Sequence, residues 1–176
     1  MAHFNLKAYQ AGALDALDQF LLQAGTLGLE AAWPHAMRRN GGQPGVPYKS
    51  DELGETPLVC LRIPTGGGKT LMASHAIARI ARAWVQREFP VALWLVPSDT
   101  IRSQTLLALQ TPGHAYRAAL QTAYQDRFIV CELDALHTVP VQDFGCKTIV
   151  VVATIQSFRV NNKAGRRAYA MSESWE

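Results

Sequence analysis

Apolar side chains near the start of the chain return every three or four residues: Leu6, Ala13, Leu14, Leu17, Phe20 and Leu21, with Gln10 on the same stripe. That period predicts an amphipathic helix over 6–24, with Asn5 placed to cap its first turn and Phe4 to staple against Tyr9. Between Arg38 and Pro57 the pattern lapses, and Gly41, Gly42, Pro44, Gly45, Pro47 and Gly54 mark a loop. Beyond Pro57, short apolar runs at 58–63, 91–96, 127–131 and 148–153 alternate with helical patterns over 69–87, 99–110 and 115–125. Alternation of this length implies parallel strands joined by right-handed crossovers, so the expected class is α/β with a buried sheet. Residues 1–56 then form an N-terminal preface and residues 57–176 the sheet domain. After Arg159 the chain is polar and shows no clear element, and no internal repeat is visible.

Composition narrows this picture only a little. A chain of 176 residues with 48% hydrophobic and 18% charged residues can build a core, which excludes disorder as a whole-chain description. The net charge of +3, from 17 basic and 14 acidic residues, is too small to announce nucleic-acid binding by itself. Cys60, Cys131 and Cys146 have no metal-ligand spacing and are expected to be reduced, buried thiols. With no signal-peptide pattern and no apolar stretch approaching the roughly 20 residues of a membrane span, a cytoplasmic protein without membrane contact is expected. Arg79, Arg82 and Arg87 read as solvated side chains on a crossover helix, and Lys163, Arg166 and Arg167 as a small solvated basic cluster after the last apolar run. Trp33, Trp84, Trp94 and Trp175 read as packing residues.

One segment carries chemistry on its own. Ile63-Pro64-Thr65-Gly66-Gly67-Gly68-Lys69-Thr70 follows an apolar run and precedes a helical pattern carrying Met72, Ala76, Ile80 and Ala83. That strand–loop–helix setting is what a phosphate-binding loop needs. Gly66, Gly67 and Gly68 let the backbone curl around phosphates with its N–H groups inward, and the helix N-terminus favours an anion. Lys69 then supplies positive charge to the β- and γ-phosphates and Thr70 a hydroxyl for Mg²⁺, so ATP and Mg²⁺ are the expected cofactors. The generic pattern wants glycine where Ile63 stands; from Thr65 onward the match is intact.

Two further turns fall at the ends of apolar runs. Ser98, Asp99 and Thr100 can cap a helix while hydroxyls and free N–H groups face outward to a phosphate. Thr154, Gln156 and Ser157 repeat that arrangement after 148–153. Together with the phosphate loop these segments resemble a known family. Pro64 to Thr70 resembles motif I of superfamily 2 helicases, in particular the Res subunit of type III restriction enzymes and related DEAD/DEAH-like translocases. Leu95-Val96-Pro97-Ser98-Asp99-Thr100-Ile101-Arg102-Ser103-Gln104 resembles motif Ia, Val152-Ala153-Thr154-Ile155-Gln156-Ser157-Phe158 resembles the AT-x-QSF motif, and Leu6-Lys7-Ala8-Tyr9-Gln10 resembles LRxYQ. The resemblance implies a P-loop, RecA-like parallel sheet flanked by helices, present here as its N-terminal portion. It further implies adenine contact by Gln10, triphosphate binding by Thr65, Gly66, Gly67, Gly68, Lys69 and Thr70, and nucleic-acid contact by Pro97, Ser98, Thr100, Gln104, Thr154, Gln156 and Ser157.

A motor of this family also needs an acidic pair, and no DExH or DEAD box is present. Cys131-Glu132-Leu133-Asp134-Ala135-Leu136-His137 follows an apolar run as such an acid would, but lies before the Thr154 motif rather than after it. An N-terminal fragment of a longer polypeptide is the simplest expectation, one that binds nucleotide weakly and hydrolyses it poorly. The functional expectation is the ATP-binding portion of an ATP-dependent DNA helicase or translocase in a restriction or other defence system, with DNA favoured over RNA and a nuclease or methyltransferase as companion. The alternatives are a P-loop kinase or phosphotransferase, which leaves the Pro97–Gln104 and Thr154–Phe158 motifs unexplained, and a non-catalytic nucleotide-binding assembly fragment.

Overall fold

The computed structural model describes residues 5–39, 46–48 and 53–158. Phe4, Lys163, Arg166, Arg167, Trp175 and most of the glycine-rich loop lie outside the described residues. The chain divides into two compact units, one within residues 3–86 and one within 87–176. The boundary between these units falls after the phosphate-loop helix.

In the first unit, α1 spans Ala8–Leu27, α2 Leu29–Arg39 and α3 Lys69–Ile80, after which one π-helical turn runs over Ala81–Val85. The first helix starts two residues later than its apolar stripe predicts and is not capped by Asn5. Lys7 is the N-cap, and its N–H donates to Gln10 Oε1 at 2.9 Å, so a side chain inside the first turn satisfies a backbone donor. Leu14, Leu17, Phe20, Leu21 and Ala24 are buried along the predicted stripe. Leu17, Phe20, Leu21 and Ala24 pack with Ala32 of α2 and Ala83, flanked by Trp33, Tyr48, Val59, Leu61 and Trp84. The rings of Phe20, Trp33 and Tyr48 lie 5.4 to 5.9 Å apart, a range where edge and tilted contacts are favourable. The second helix escaped the apolar pattern because Pro34 stands inside it, where proline normally interrupts a helix.

Residues 58–63 are not a strand. Val59, Leu61 and Ile63 are half-buried while Leu58, Cys60 and Arg62 are exposed, so the period-2 pattern is real but among the described residues no strand pairs with it. A β-strand exists only as a member of a ladder; alternation alone sets which side faces the core. Cys60 lies on the exposed side, contrary to the expectation of three buried thiols; Cys146 is exposed too, and Cys131 is half-buried with its thiol pushed up by burial. All three are free. Arg79 is likewise not a merely solvated cation: it donates to Asp15 and Asp18 at 2.7 Å each, and Arg82 reaches Asp18 at 3.1 Å. These contacts tie α1 to α3.

In the second unit, β1 spans Val91–Val96, β2 Phe128–Glu132 and β3 Thr148–Thr154, and the sheet is parallel throughout with order β1-β3-β2. The crossover from β1 to β2 carries α4, Asp99–Gln110, and α5, Ala115–Tyr124. Every residue of β3 is buried, as expected for the central strand of a parallel sheet covered on both faces. Ile149 and Val151 point to a cluster with Val139, Ile129, Leu136 and Phe144, while α4 packs across the sheet. No helix among the described residues is long and apolar enough to cross a membrane.

His75 on α3 has its pKa held below the ordinary 6.5, chiefly by burial and further by the Arg79 guanidinium. The unfolded chain therefore takes up that proton first, and stability should fall as pH drops through 6.5, levelling off below the folded-state value. Urea midpoints at about pH 7.5 and about pH 5 should show a larger acid loss for the wild type than for His75→Gln; equal losses would remove this contribution.

Candidate functional site: a glycine loop on α3 and hydroxyl turns at strand ends

The phosphate loop is built by backbone that only glycine tolerates. Gly66 and Gly68 both have φ of +77°, in the left-handed region that costs an L-residue about 1–3 kcal/mol. A Cβ on Gly68 would lie 2.5 Å from Gln10 Nε2, and one on Gly67 would lie 2.6 Å from Ile63 Cγ2. The N–H groups are not all free as the sequence suggested: Gly67 donates to Pro64 O at 3.0 Å, because the loop turns tightly there. The amides of Gly68, Lys69 and Thr70 find no backbone acceptor among the described residues, as expected where a helix begins.

Lys69 opens α3, and its Nζ donates to the carbonyls of Ile63 and Pro64, both at 3.1 Å. Its ammonium is thereby carried over the loop, with one N–H to spare. Thr70 follows with a half-buried side chain whose hydroxyl has no hydrogen bond among the described residues. Such a hydroxyl suits Mg²⁺ that also carries phosphate oxygens and water. No group of three or more His, Cys, Asp or Glu gathers as a metal cage among the described residues.

Gln10 is 4% exposed and joins this loop. Its Nε2 donates to Gly67 O at 2.9 Å while Oε1 takes the Lys7 N–H. Tyr9 donates its hydroxyl to the same carbonyl, also at 2.9 Å. Periodicity exposed the buried amide of Gln10 but not its acceptor 57 residues away, nor the bond from Tyr9 to the same carbonyl.

The second unit gathers the other candidates at the carboxyl ends of its strands. Val96 and Thr154 are register partners, so Pro97 and Ser98 leave β1 beside the turn that leaves β3. Ser98 caps α4, its Oγ accepting from Ile101 N at 3.4 Å. Thr100, Gln104 and Gln156 are exposed. Thr154 is 3% exposed and its hydroxyl pairs with Ser157 Oγ at 2.9 Å, so it orients Ser157 rather than facing solvent. Arg102, which the pattern passed over, reaches Glu132 Oε2 at 3.0 Å and Asp99 Oδ1 at 3.3 Å. Glu132, the imitation of a strand-end acid, is thus held in an ion pair.

An α/β chain with a three-stranded parallel sheet flanked by helices and a glycine loop opening a helix is a partial P-loop fold of the RecA-like kind. A family model described as Type III restriction enzyme, res subunit, matches residues 3–173, and the chain belongs to that family. The family comprises helicase-like ATPase motor regions, generally dependent on ATP and Mg²⁺ and acting on nucleic acid. No curated protein and no solved structure matches the chain.

Gly68→Ala combines left-handed strain with the clash against Gln10 and should destabilise the chain by about 1–3 kcal/mol in urea denaturation. An unchanged midpoint would show that the loop relaxes elsewhere.

Proposed function

We propose that this chain is the ATP-binding portion of an ATP-dependent DNA helicase or translocase, the motor of a restriction or other defence system that works with a nuclease or methyltransferase. The observation that supports it best is the loop itself: left-handed Gly66 and Gly68, three amides at the start of α3 with no backbone acceptor among the described residues, and Lys69 above them. Anions are favoured at such a site by oriented N–H dipoles and the helix field. ATP with Mg²⁺ supplies the phosphoryl group and neutralising charge. Lys69 binds the β- and γ-phosphates, Thr70 holds the metal, and Thr65, Gly66, Gly67 and Gly68 shape the cradle. Gln10 retains one Nε2 hydrogen beyond its bond to Gly67, which it offers to an acceptor nitrogen of adenine.

Pro97, Ser98, Thr100, Gln104, Gln156 and Ser157 grip a sugar-phosphate backbone, with Thr154 setting Ser157. Contacts of that type position a strand without reading bases. A phosphotransferase would leave these paired hydroxyl turns without a task.

Calorimetry with MgATP should give a binding heat that Lys69→Ala weakens by about 10- to 100-fold, the scale of a charge-assisted contact. Turnover by this chain should stay near background, since no DExH or DEAD box is present in it. No heat from the wild type, or turnover stimulated by a small acceptor and indifferent to nucleic acid, would sink the reading.

A further inference from the structure

Tyr9 has no role in the reading above, and its position gives it one. Tyr9 is 45% exposed, so it contributes little to the core, yet its hydroxyl is bonded to a carbonyl 58 residues away. That carbonyl, Gly67 O, accepts from Tyr9 and Gln10 together, both at 2.9 Å, which occupies both of its lone pairs.

The peptide joining Gly67 to Gly68 lies between residues with few steric limits. Gly66 and Gly68 are left-handed and none of the three glycines has a Cβ, so rotation of this peptide plane meets little intrinsic resistance. A trans peptide is planar, and its C=O and N–H point in opposite directions. Fixing Gly67 O towards α1 therefore aims the Gly68 N–H away from α1. Among the described residues that amide has no backbone acceptor, and it adjoins the amides of Lys69 and Thr70, which have none either.

We infer that Tyr9 is a positioning residue for the phosphate loop: through Gly67 O, and jointly with Gln10, its hydroxyl holds the 67–68 peptide with the Gly68 amide turned outward as an anion donor. This rests on the nucleotide reading above and adds a residue that acts on the triphosphate rather than the base. Arg79, bonded to Asp15 and Asp18, keeps α1 against α3 so that Tyr9 stays within reach of the loop.

The test compares wild type and Tyr9→Phe, using the 176-residue chain and two probes, MgATP and magnesium tripolyphosphate. The variant removes one hydroxyl from a half-exposed ring, and its urea midpoint checks the fold. Both probes should bind about three- to tenfold more weakly, by the same factor, as loss of one hydrogen bond implies. The Gly68 amide resonance should shift in the unliganded variant and respond less to tripolyphosphate. Unchanged affinity for both probes overturns the proposal, and so does a loss confined to MgATP, which would place Tyr9 against the base. An unmoved Gly68 resonance overturns it even if the variant proves unstable. Failure of the wild type to bind either probe defeats the nucleotide reading itself and takes this proposal with it.

Discussion

A buried primary amide must find partners or incur a desolvation penalty of about 1–3 kcal/mol, and in this chain that requirement joins the first helix to the phosphate loop. Gln10 lies on the apolar stripe of α1, 4% exposed, with its oxygen bonded to the Lys7 N–H and its nitrogen to Gly67 O. The first bond starts the helix at Ala8; the second fixes what the loop can do. Gly68 must lack a side chain because Gln10 occupies the place its Cβ would take. Helix start, glycine requirement and loop geometry follow from satisfying one side chain.

Apolar packing provides the frame for that bond. Leu14, Leu17, Phe20 and Leu21 place α1 against its neighbours, and the Asp15 and Asp18 pairs to Arg79 set its register on α3. Exposed ion pairs add little to stability, but Asp18 is mostly buried and takes two guanidinium groups on one oxygen. Their contribution is orientation: α1 can rest on an apolar surface in several ways, and only some bring residue 10 to the loop.

The second unit solves a different problem with the same economy of residue types. Thr148 to Thr154 is buried on both faces, and the threonine at its carboxyl end is a polar group where burial favours a partnered hydroxyl. At the carboxyl end Thr154 pairs with Ser157, converting the last residue of the sheet into support for an exposed turn. Ser98 at the neighbouring strand end caps α4 in the same spirit, and Arg102, one turn into that helix, reaches back to Glu132 at the end of β2.

Periodicity and turn chemistry were enough to locate β1 and α4 to the residue, and β2, β3 and α5 to within one or two positions, because each is a short apolar run or a helical stripe bounded by turn residues. The same local logic identified the glycine loop, Lys69 and the capping serine, since their chemistry depends on neighbours in sequence. It failed where the decisive partner is distant. Residues 58–63 carry a strand's alternation but have no ladder to join among the described residues, Pro34 hid a helix that packing sustains, and Arg79 resembled a solvated cation until Asp15 and Asp18 came beside it. Sequence by itself determined which backbone could curl around an anion and which faces would be apolar, because sterics and hydrophobicity act locally. Only the tertiary structure decided that Tyr9 and Gln10 share the Gly67 carbonyl, because a hydrogen bond across some 57 residues depends on how two helices pack and leaves no periodic trace.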